Sequence, residues 1–198
     1  MLYTENNYIV KVADKQDEFN QIYDLNYKTF VEEIPQHEQN ERKKLIDKFN
    51  EQNTYIIVLQ NDKVMGMVAL RGKRPFSLDY KLENLESYLP VKKDILEVRL
   101  LSVNKQLRNT KILILILKGI IAYVANAKYK IAIISGILNQ QNLYKHLGFI
   151  PFGPLVGDEN AKFQPMYLTK ENFENVMVKL VDFLILKEKR EKQDEQNS

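Results

Sequence analysis

The 198-residue chain contains no cysteine. That excludes a disulfide framework, a zinc–thiolate centre, an iron–sulfur cluster and a cysteine nucleophile. Tryptophan is also absent, and the two histidines, His37 and His146, are too few for a histidine-built metal site; both read as surface residues. Neither sign of charge dominates. Twenty-nine Lys and Arg against 26 Asp and Glu leave a net +3, and the basic residues are dispersed, which argues against nucleic acid as a partner. Long apolar runs are missing. The longest, Ile112 to Leu117, stops at Lys118 and falls short of the ~20 residues that span a bilayer. Residues 1–8 lack the apolar core of a secretory signal, so a cytoplasmic location is expected. Glycine is scarce, at seven residues, and any site that needs a glycine-rich phosphate loop must be built from these few.

What is present is ordinary globular composition, 44% hydrophobic and 28% charged. It reads as a single domain over residues 1–186 with a charged tail, 187–198, that frays. Tyr8–Val12 alternates like a strand. Asp14 is placed to cap a helix through Phe30, broken at Ile34-Pro35, and part of the polar stretch that follows, Glu41–Phe49, has helical character. Thr54–Gln60 and Val64–Arg71 form a hairpin about Asn61-Asp62, followed by a basic loop from Gly72 to Leu78. Leu82–Leu89 reads as a short helix ended by Pro90. Ile95–Val103 is a central strand, Asn109–Ala127 a deeply packed helix, Lys130–Ile137 a second buried strand, and Asn139–Leu147 a short helix closed by Gly148. Phe149–Phe152 and Phe163–Leu168 are two further strands, and Thr169 caps a last helix. The strand–helix–strand unit from Ile95 to Ile137 implies a parallel pair with a right-handed crossover, and the early hairpin adds antiparallel strands. The fold class is a mixed α/β domain.

Three segments carry a resemblance. Glu97-Val98-Arg99-Leu100-Leu101-Ser102-Val103 is followed by Arg108-Asn109-Thr110 at a helix start and by Leu143-Tyr144-Lys145-His146-Leu147-Gly148-Phe149. Together they resemble the GCN5-related N-acetyltransferase (GNAT) superfamily over roughly residues 8–168, the Leu-Tyr-x-x-x-Gly-Phe run being the most specific. Nearer the N-terminus, Phe30-Val31-Glu32-Glu33, Asp47-x-Phe49-Asn50 and Thr54-Tyr55-Ile56-Ile57-Val58 are similar to the acyl-homoserine-lactone synthase and N-acyl amino acid synthase branch. Glu97 matches that branch's glutamate on the central strand. Asn26 stands where the branch has arginine, Asn50 replaces its second aspartate, and its tryptophan is missing. Arg99 is displaced by one residue from the branch's arginine, which by strict alternation sends it to the opposite face of the strand. No glycine lies between Gly72 and Gly119, so the turn that binds phosphate in acetyl-CoA users carries side chains here.

The resemblance implies a GNAT-like fold, a mixed sheet flanked by helices, and an N-acyltransferase. The enzyme would move an acyl group from a thioester to the amine of a small acceptor such as an amino acid, without a metal. The donor would be a coenzyme A thioester (acetyl-CoA or a longer acyl-CoA) or an acyl-carrier-protein thioester. The scarce glycines and the N-terminal likeness lean toward a longer chain on a carrier protein, docked at the basic loop. It further implies Glu97 as base and Tyr144 as acid to the leaving sulfur. Backbone N–H groups around Leu101, Ser102 and Val103 would hold the oxyanion and the pantetheine arm. Arg108, Asn109, Thr110 and Lys111 would meet the pyrophosphate at a helix N-terminus. Arg99, or Arg71, Lys73 and Arg74, would hold an acceptor carboxylate. Each has a plainer reading: Glu97 as a structural partner of Arg99 or a lysine, Tyr144 as packing, Arg108 as an ordinary surface residue, and the 71–74 loop as solvated. A non-catalytic ligand- or partner-binding module on the same fold is the alternative, and the oligomeric state is left open.

Overall fold

The computed structural model describes residues 1–108, 111–157 and 161–176. Asn109, Thr110 and the expected tail lie outside the described residues. Nine strands form one mixed sheet: β1 (Tyr3–Glu5), β2 (Tyr8–Val12), β3 (Thr54–Gln60), β4 (Lys63–Arg71), β5 (Ile95–Val103), β6 (Ile131–Ile137), β7 (Ile150–Pro151), β8 (Val156–Gly157) and β9 (Lys162–Thr169). Their order is β1-β2-β3-β4-β5-β6-β9-β7, with β8 also on β9. Helix α1 (Gln16–Tyr27) lies on one face. On the other lie α2 (Ile112–Val124), α3 (Gln141–His146) and helical turns at 170–176. Among the described residues no helix is long and apolar enough to cross a membrane.

Each face carries an apolar layer. Val10, Ile56, Val58, Val68, Leu70 and Leu96 of the sheet pack against Ile112, Leu115, Ile116 and Ile120 of α2. The alternate residues, Tyr55, Ile57, Leu59, Met67 and Ala69, pack against Ile22 and Leu25 of α1. Period-two alternation in β3 and β4 meets helical spacing on either side, so one sheet serves two cores. Gly66 lets α2 approach β4 closely: a Cβ there would lie 2.8 Å from Ile112 Cγ2 and 3.2 Å from the Ser102 carbonyl oxygen.

The element order matches the sequence reading, with local differences that have physical causes. Asp14 does not cap α1. Glu18 reaches back instead, accepting from the Asp14 N–H at 2.9 Å, the Lys15 N–H at 3.2 Å and Lys11 Nζ at 2.9 Å. The helix then loosens into one π-type turn, Lys28–Glu33, a distortion that recurs at functional sites. The 41–49 stretch is not helical: Asp47 accepts from the Phe49 N–H at 2.9 Å and Leu45 N–H donates to the Tyr23 carbonyl, pinning it open. Residues 82–89 form a 3-10 turn, Leu85–Tyr88, rather than a helix. Strand β1 went unread because it is only three residues long. Asn61 and Asp62, with φ +50° and +58°, make the expected hairpin turn, and Gly148, at φ +84°, closes α3.

Two irregularities shape the centre. The parallel strands β5 and β6 pair at Ile95–Ile131, Leu96–Ala132 and Glu97–Ile133 and then part. Beyond that point β5 follows β4, and β6 follows β9. The second is a bulge: Met67 pairs with Ser102 but Ala69 with Arg99, so Val68 faces Leu100 and Leu101 together. Leu100 takes φ +51°, rare for a leucine. After the bulge the alternation is inverted, and Ser102 lies on the α1 face beside Met67.

Gly66→Ala is expected to lower stability by about 1–3 kcal/mol through overpacking against α2, read from the midpoint of denaturant unfolding.

Candidate active site

The parting of β5 and β6 opens a cavity of about 670 Å³ that passes through the sheet. On the α1 side it is lined by Thr29, His37, Asp47, Lys48, Ser77 and Arg99. On the α2 side its wall is apolar, with Leu96, Val98, Leu117, Ile120, Leu147 and Phe173 among the lining residues. Alternate backbone N–H and C=O groups of each parted strand face the gap without a ladder partner.

Glu97 sits at the fork where the strands separate and is 0% exposed. Its carboxylate accepts from the Ser77 N–H at 2.9 Å, from Ser77 Oγ at 2.5 Å and from the Leu78 N–H at 3.2 Å, with Arg99 Nε 3.6 Å away. Glu97 does not reach the cavity, but Ser77 does. Sequence reasoning missed Ser77: a serine in a polar loop carries no periodic signal.

Arg99 forms a two-point pair with Asp47, Nη1 to Oδ1 at 2.7 Å and Nη2 to Oδ2 at 3.0 Å. Asp47 also accepts from Asn53 Nδ2 at 2.9 Å. Burial works to raise the Asp47 carboxyl, but the guanidinium and these hydrogen bonds outweigh it and hold the group below its ordinary value. Two guanidiniums lie over the Phe49 ring, Arg71 at 4.1 Å and Arg99 at 4.8 Å from its centroid, with Lys48 Nζ at 4.9 Å. The opposite-face placement that strict alternation gives Arg99 does not hold, because the strand bulges at this point. The bulge puts both Arg99 and Leu100 on the α1 face, Leu100 packing with that core and Arg99 on Asp47.

Tyr144 lines the cavity from α3. Its ring rests on Gly136 of β6, where a Cβ would lie 2.9 Å from Tyr144 Cδ2. Its hydroxyl meets Gln140 Oε1 at 3.3 Å. Burial pushes the phenol above its usual range, opposed by a hydrogen bond from the Ile137 backbone, so it carries its proton at neutral pH. Leu101, Val103 and Arg108 also line the cavity. Arg108 is engaged with Glu33, Nη2 to Oε2 at 2.5 Å, and its Nε donates to the Val103 carbonyl at 3.2 Å. Lys111 points elsewhere, its ammonium 4.9 Å from the Tyr8 ring centroid. Ser102 lies behind the bulge, and Asn109 and Thr110 lie outside the described residues.

The basic side chains of the loop are not brought to the cavity. Arg71 is 1% exposed, donating to the Pro75 carbonyl at 2.6 Å, and Arg74 pairs on the surface with Asp79 and with Glu86. His37 lies at the rim of the cavity, exposed on one side. Its imidazole is shifted below the ordinary value by burial, with Asp47 opposing the shift and Lys81 assisting it.

Comparison with known proteins agrees with this architecture. A family model described as an acetyltransferase (GNAT) domain matches residues 25–118. No curated protein sequence gives a significant match. Among solved structures, the CoA-dependent acyl-homoserine lactone synthase BjaI with MTA is similar at TM-score 0.71 and 15% identity, covering 87% of this chain and 89% of that one. FeeM, an N-acyl amino acid synthase from uncultured soil microbes, is similar at TM-score 0.63 and 12% identity, covering 85% and 93%. The acyl-homoserine lactone synthase LasI is similar at TM-score 0.63 and 13% identity, covering 82% and 89%.

Two outcomes follow from the site. In Asp47→Asn, Arg99 keeps its charge and loses its two-point partner, retaining only the Glu97 carboxylate at 3.6 Å, and stability at pH 7 is expected to fall by about 3 kcal/mol. Because the Asp47 carboxyl is held below its unfolded value, its contribution is present above that value and fades as pH falls through the folded one. Acid unfolding of the wild type should therefore lose ground on the variant below about pH 4. Gly136→Ala displaces the Tyr144 ring from β6 and should leave the circular dichroism spectrum intact while reducing any Tyr144-dependent turnover.

Proposed function

We propose that this chain, which carries the GNAT-like fold and resembles the GNAT superfamily in sequence, is an N-acyltransferase that moves an acyl group from a thioester to a small amine. The observation that carries this reading is the placement of a proton acceptor and a proton donor on one through-sheet cavity: Ser77, hydrogen-bonded to Glu97, and Tyr144 on the parted edge of β6. This keeps Glu97 as the base but routes the proton through Ser77, since the carboxylate is sealed from the cavity.

In the proposed reaction the amine attacks the thioester carbonyl and a C–N bond forms. The amine proton passes to Ser77 Oγ as the serine hydrogen passes to Glu97. The C–S bond breaks and the leaving thiolate takes the Tyr144 proton. Both side chains then return to their starting states by exchange with solvent, leaving an amide and a free thiol. Free strand amides in the gap, around Leu101 and Val103, suit the carbonyl oxygen as charge develops on it. Side chains at the glycine-free turn limit a close phosphate approach, while the apolar α2-side wall supports an acyl chain longer than acetyl. The donor is therefore proposed as a longer acyl-CoA or an acyl-carrier-protein thioester. Arg71 is too deeply buried to dock a carrier protein.

The test is thiol release from acetyl-, octanoyl- and palmitoyl-CoA, and from acylated carrier protein, against a panel of small amines. Ser77→Ala should reduce kcat by about 10²–10³-fold with the fold intact, because backbone N–H groups still hold Glu97; Glu97→Gln should lower it comparably. Turnover that survives both substitutions rules out the proton route. A second reading, a binding module without turnover, is favoured by Arg108 being already engaged with Glu33. It predicts acyl-thioester binding with no thiol release for any amine.

A further inference from the structure

Ser135 of β6 lines the cavity, and its buried hydroxyl has no hydrogen-bond partner. A buried hydroxyl is ordinarily satisfied inside the protein, and leaving it bare lowers stability by desolvation.

Where this residue stands follows from register. Strand β6 runs antiparallel to β9 in unbroken register, and Ser135 lies opposite Pro165. The Pro165 carbonyl accepts from the Phe152 N–H at 2.9 Å, on the β7 side and away from β6. Ser135 and Pro165 are therefore a pair that exchanges no hydrogen bonds, and the backbone N–H and C=O of Ser135 turn the other way, toward β5. Pairing with β5 has already ended, two residues earlier, at Glu97 and Ile133. The Ser135 N–H thus faces the open gap. By the same parity so does the Ile137 N–H, which hydrogen-bonds the Tyr144 hydroxyl. The side chains follow by alternation. Gly136 faces α3, under the Tyr144 ring. Ser135 shares the opposite face with Ile131 and Ile133, which pack in one cluster with Phe76 and Leu78, the two neighbours of Ser77.

Three positions are in this way ordered along one strand edge. At Ile133 the strands part, beside Glu97 and its partner Ser77. At Ile137 stands the Tyr144 hydroxyl. Ser135 lies midway, about 7 Å along the strand from each. In the proposed reaction the amine gives up its proton at the first position and the sulfur takes one at the last. The carbonyl carbon that both are bonded to in turn lies between them, beside Ser135.

We infer that the Ser135 hydroxyl donates a hydrogen bond to the thioester carbonyl oxygen, from the strand opposite the Leu101 and Val103 amides. This rests on the acyltransferase reading and adds a catalytic residue to it. As the C–N bond forms, the carbonyl π pair moves onto the oxygen, and the Ser135 O–H holds that charge without giving up its proton. When the C–S bond breaks the pair returns, the C=O bond is restored and the thiolate takes the Tyr144 proton. A neutral donor binds the uncharged carbonyl modestly and the oxyanion more strongly, which is the difference that accelerates the step. Because the hydroxyl has no partner in the ligand-free protein, it breaks no internal hydrogen bond to do so.

The experiment uses the full chain, its Ser135→Ala and Ser135→Thr variants, and octanoyl-CoA labelled at the carbonyl carbon. Infrared difference spectra of the bound donor, with no amine present, read the hydrogen bonds on that carbonyl, and thiol release with amine reads turnover. In Ser135→Ala the carbonyl band should rise in frequency relative to wild type. Its kcat should fall about 10²-fold, the cost of one oxyanion donor, with the donor KM little changed. The melting temperature should hold or rise, since an unsatisfied buried hydroxyl is removed. Ser135→Thr, which keeps the hydroxyl, should recover both the band and kcat. A band and a kcat that are both unchanged in Ser135→Ala overturn the inference. So does a kcat that falls along with the melting temperature while the band stays in place, since that is a structural role. The two readings fail separately. Thiol release indifferent to Ser135 sinks the carbonyl contact alone. A Ser135-dependent band without thiol release for any amine sinks the acyltransferase reading alone.

Discussion

The separation of β5 from β6 is the constraint on which the rest of the molecule depends. A parallel pair normally satisfies its ladder along its whole length, and abandoning it leaves backbone groups without partners. Here pairing ends at Glu97 and Ile133, and different features keep the strands apart. On β5, the strand stays paired with β4 on both sides of the bulge, from Arg71–Glu97 to Gly66–Val103. On β6, the Tyr144 ring rests over Gly136, and β9 pairs with the strand from Ile131 to Ile137. At the fork, Glu97 ties β5 to the 77–78 loop through Ser77 and Leu78. The cavity is thus framed by strands that are each well paired on the side away from it.

The charged groups around the fork are arranged to be inexpensive to bury. Glu97 takes its hydrogen bonds from backbone and a hydroxyl rather than from a single cation. Arg71, its cross-strand neighbour, rests on the face of Phe49 and the Pro75 carbonyl. Arg99 shares that ring and adds the Asp47 carboxylate. An isolated buried charge is costly, and a pair is tolerable when geometry and further hydrogen bonds complete it. Phe49 is within cation–π range of both guanidiniums, and its electron-rich ring offsets part of the cost of burying two like charges near one another. Residues 41–49 are therefore held without helical structure, a 3-10 turn follows at Asn50–Gln52, and Asp47, Phe49 and Asn53 are committed to this cluster.

Much of the fold was legible because it rests on periodicity. The strand limits of Tyr8–Val12, from its alternation, and of Thr54–Gln60 and Ile95–Val103, from their β-branched and apolar runs, are those observed, and Gly148 at φ +84° is what a helix-closing glycine does. The site was less legible, and for one recurring reason. Its residues depend on features that break periodicity. Alternation assigns Arg99 and residue 100 to opposite faces, and the bulge undoes it. Ser102 reads as facing α2 until the same bulge inverts it. Ser77 acquires its place only because its loop folds back onto Glu97, some twenty residues away in sequence. Glu18 displaced Asp14 as the capping group because it could satisfy two backbone donors and Lys11 at once, a three-way arrangement that no single position announces. Arg71 and Arg74 read alike in a basic loop, yet one is sealed in the sheet and the other lies on the surface, since Arg71 is still a strand residue paired with Glu97.

The engagement of Arg108 with Glu33 bears on whether this site can receive a phosphate-bearing donor at all. Both side chains are partly exposed, 39% and 22%, so the pair contributes about 1 kcal/mol or less. A pyrophosphate brings more negative charge than one carboxylate and can accept several hydrogen bonds at once. Exchange of Glu33 for phosphate on Arg108 is therefore a small step energetically. Glu33 ends the π-type turn whose Thr29 and Phe30 line the cavity. Loosening that ion pair would free one anchor of the segment that lines the α1 side of the cavity. A phosphate bound at Arg108 would in this way act on the α1-side wall of the cavity through a single weak ion pair.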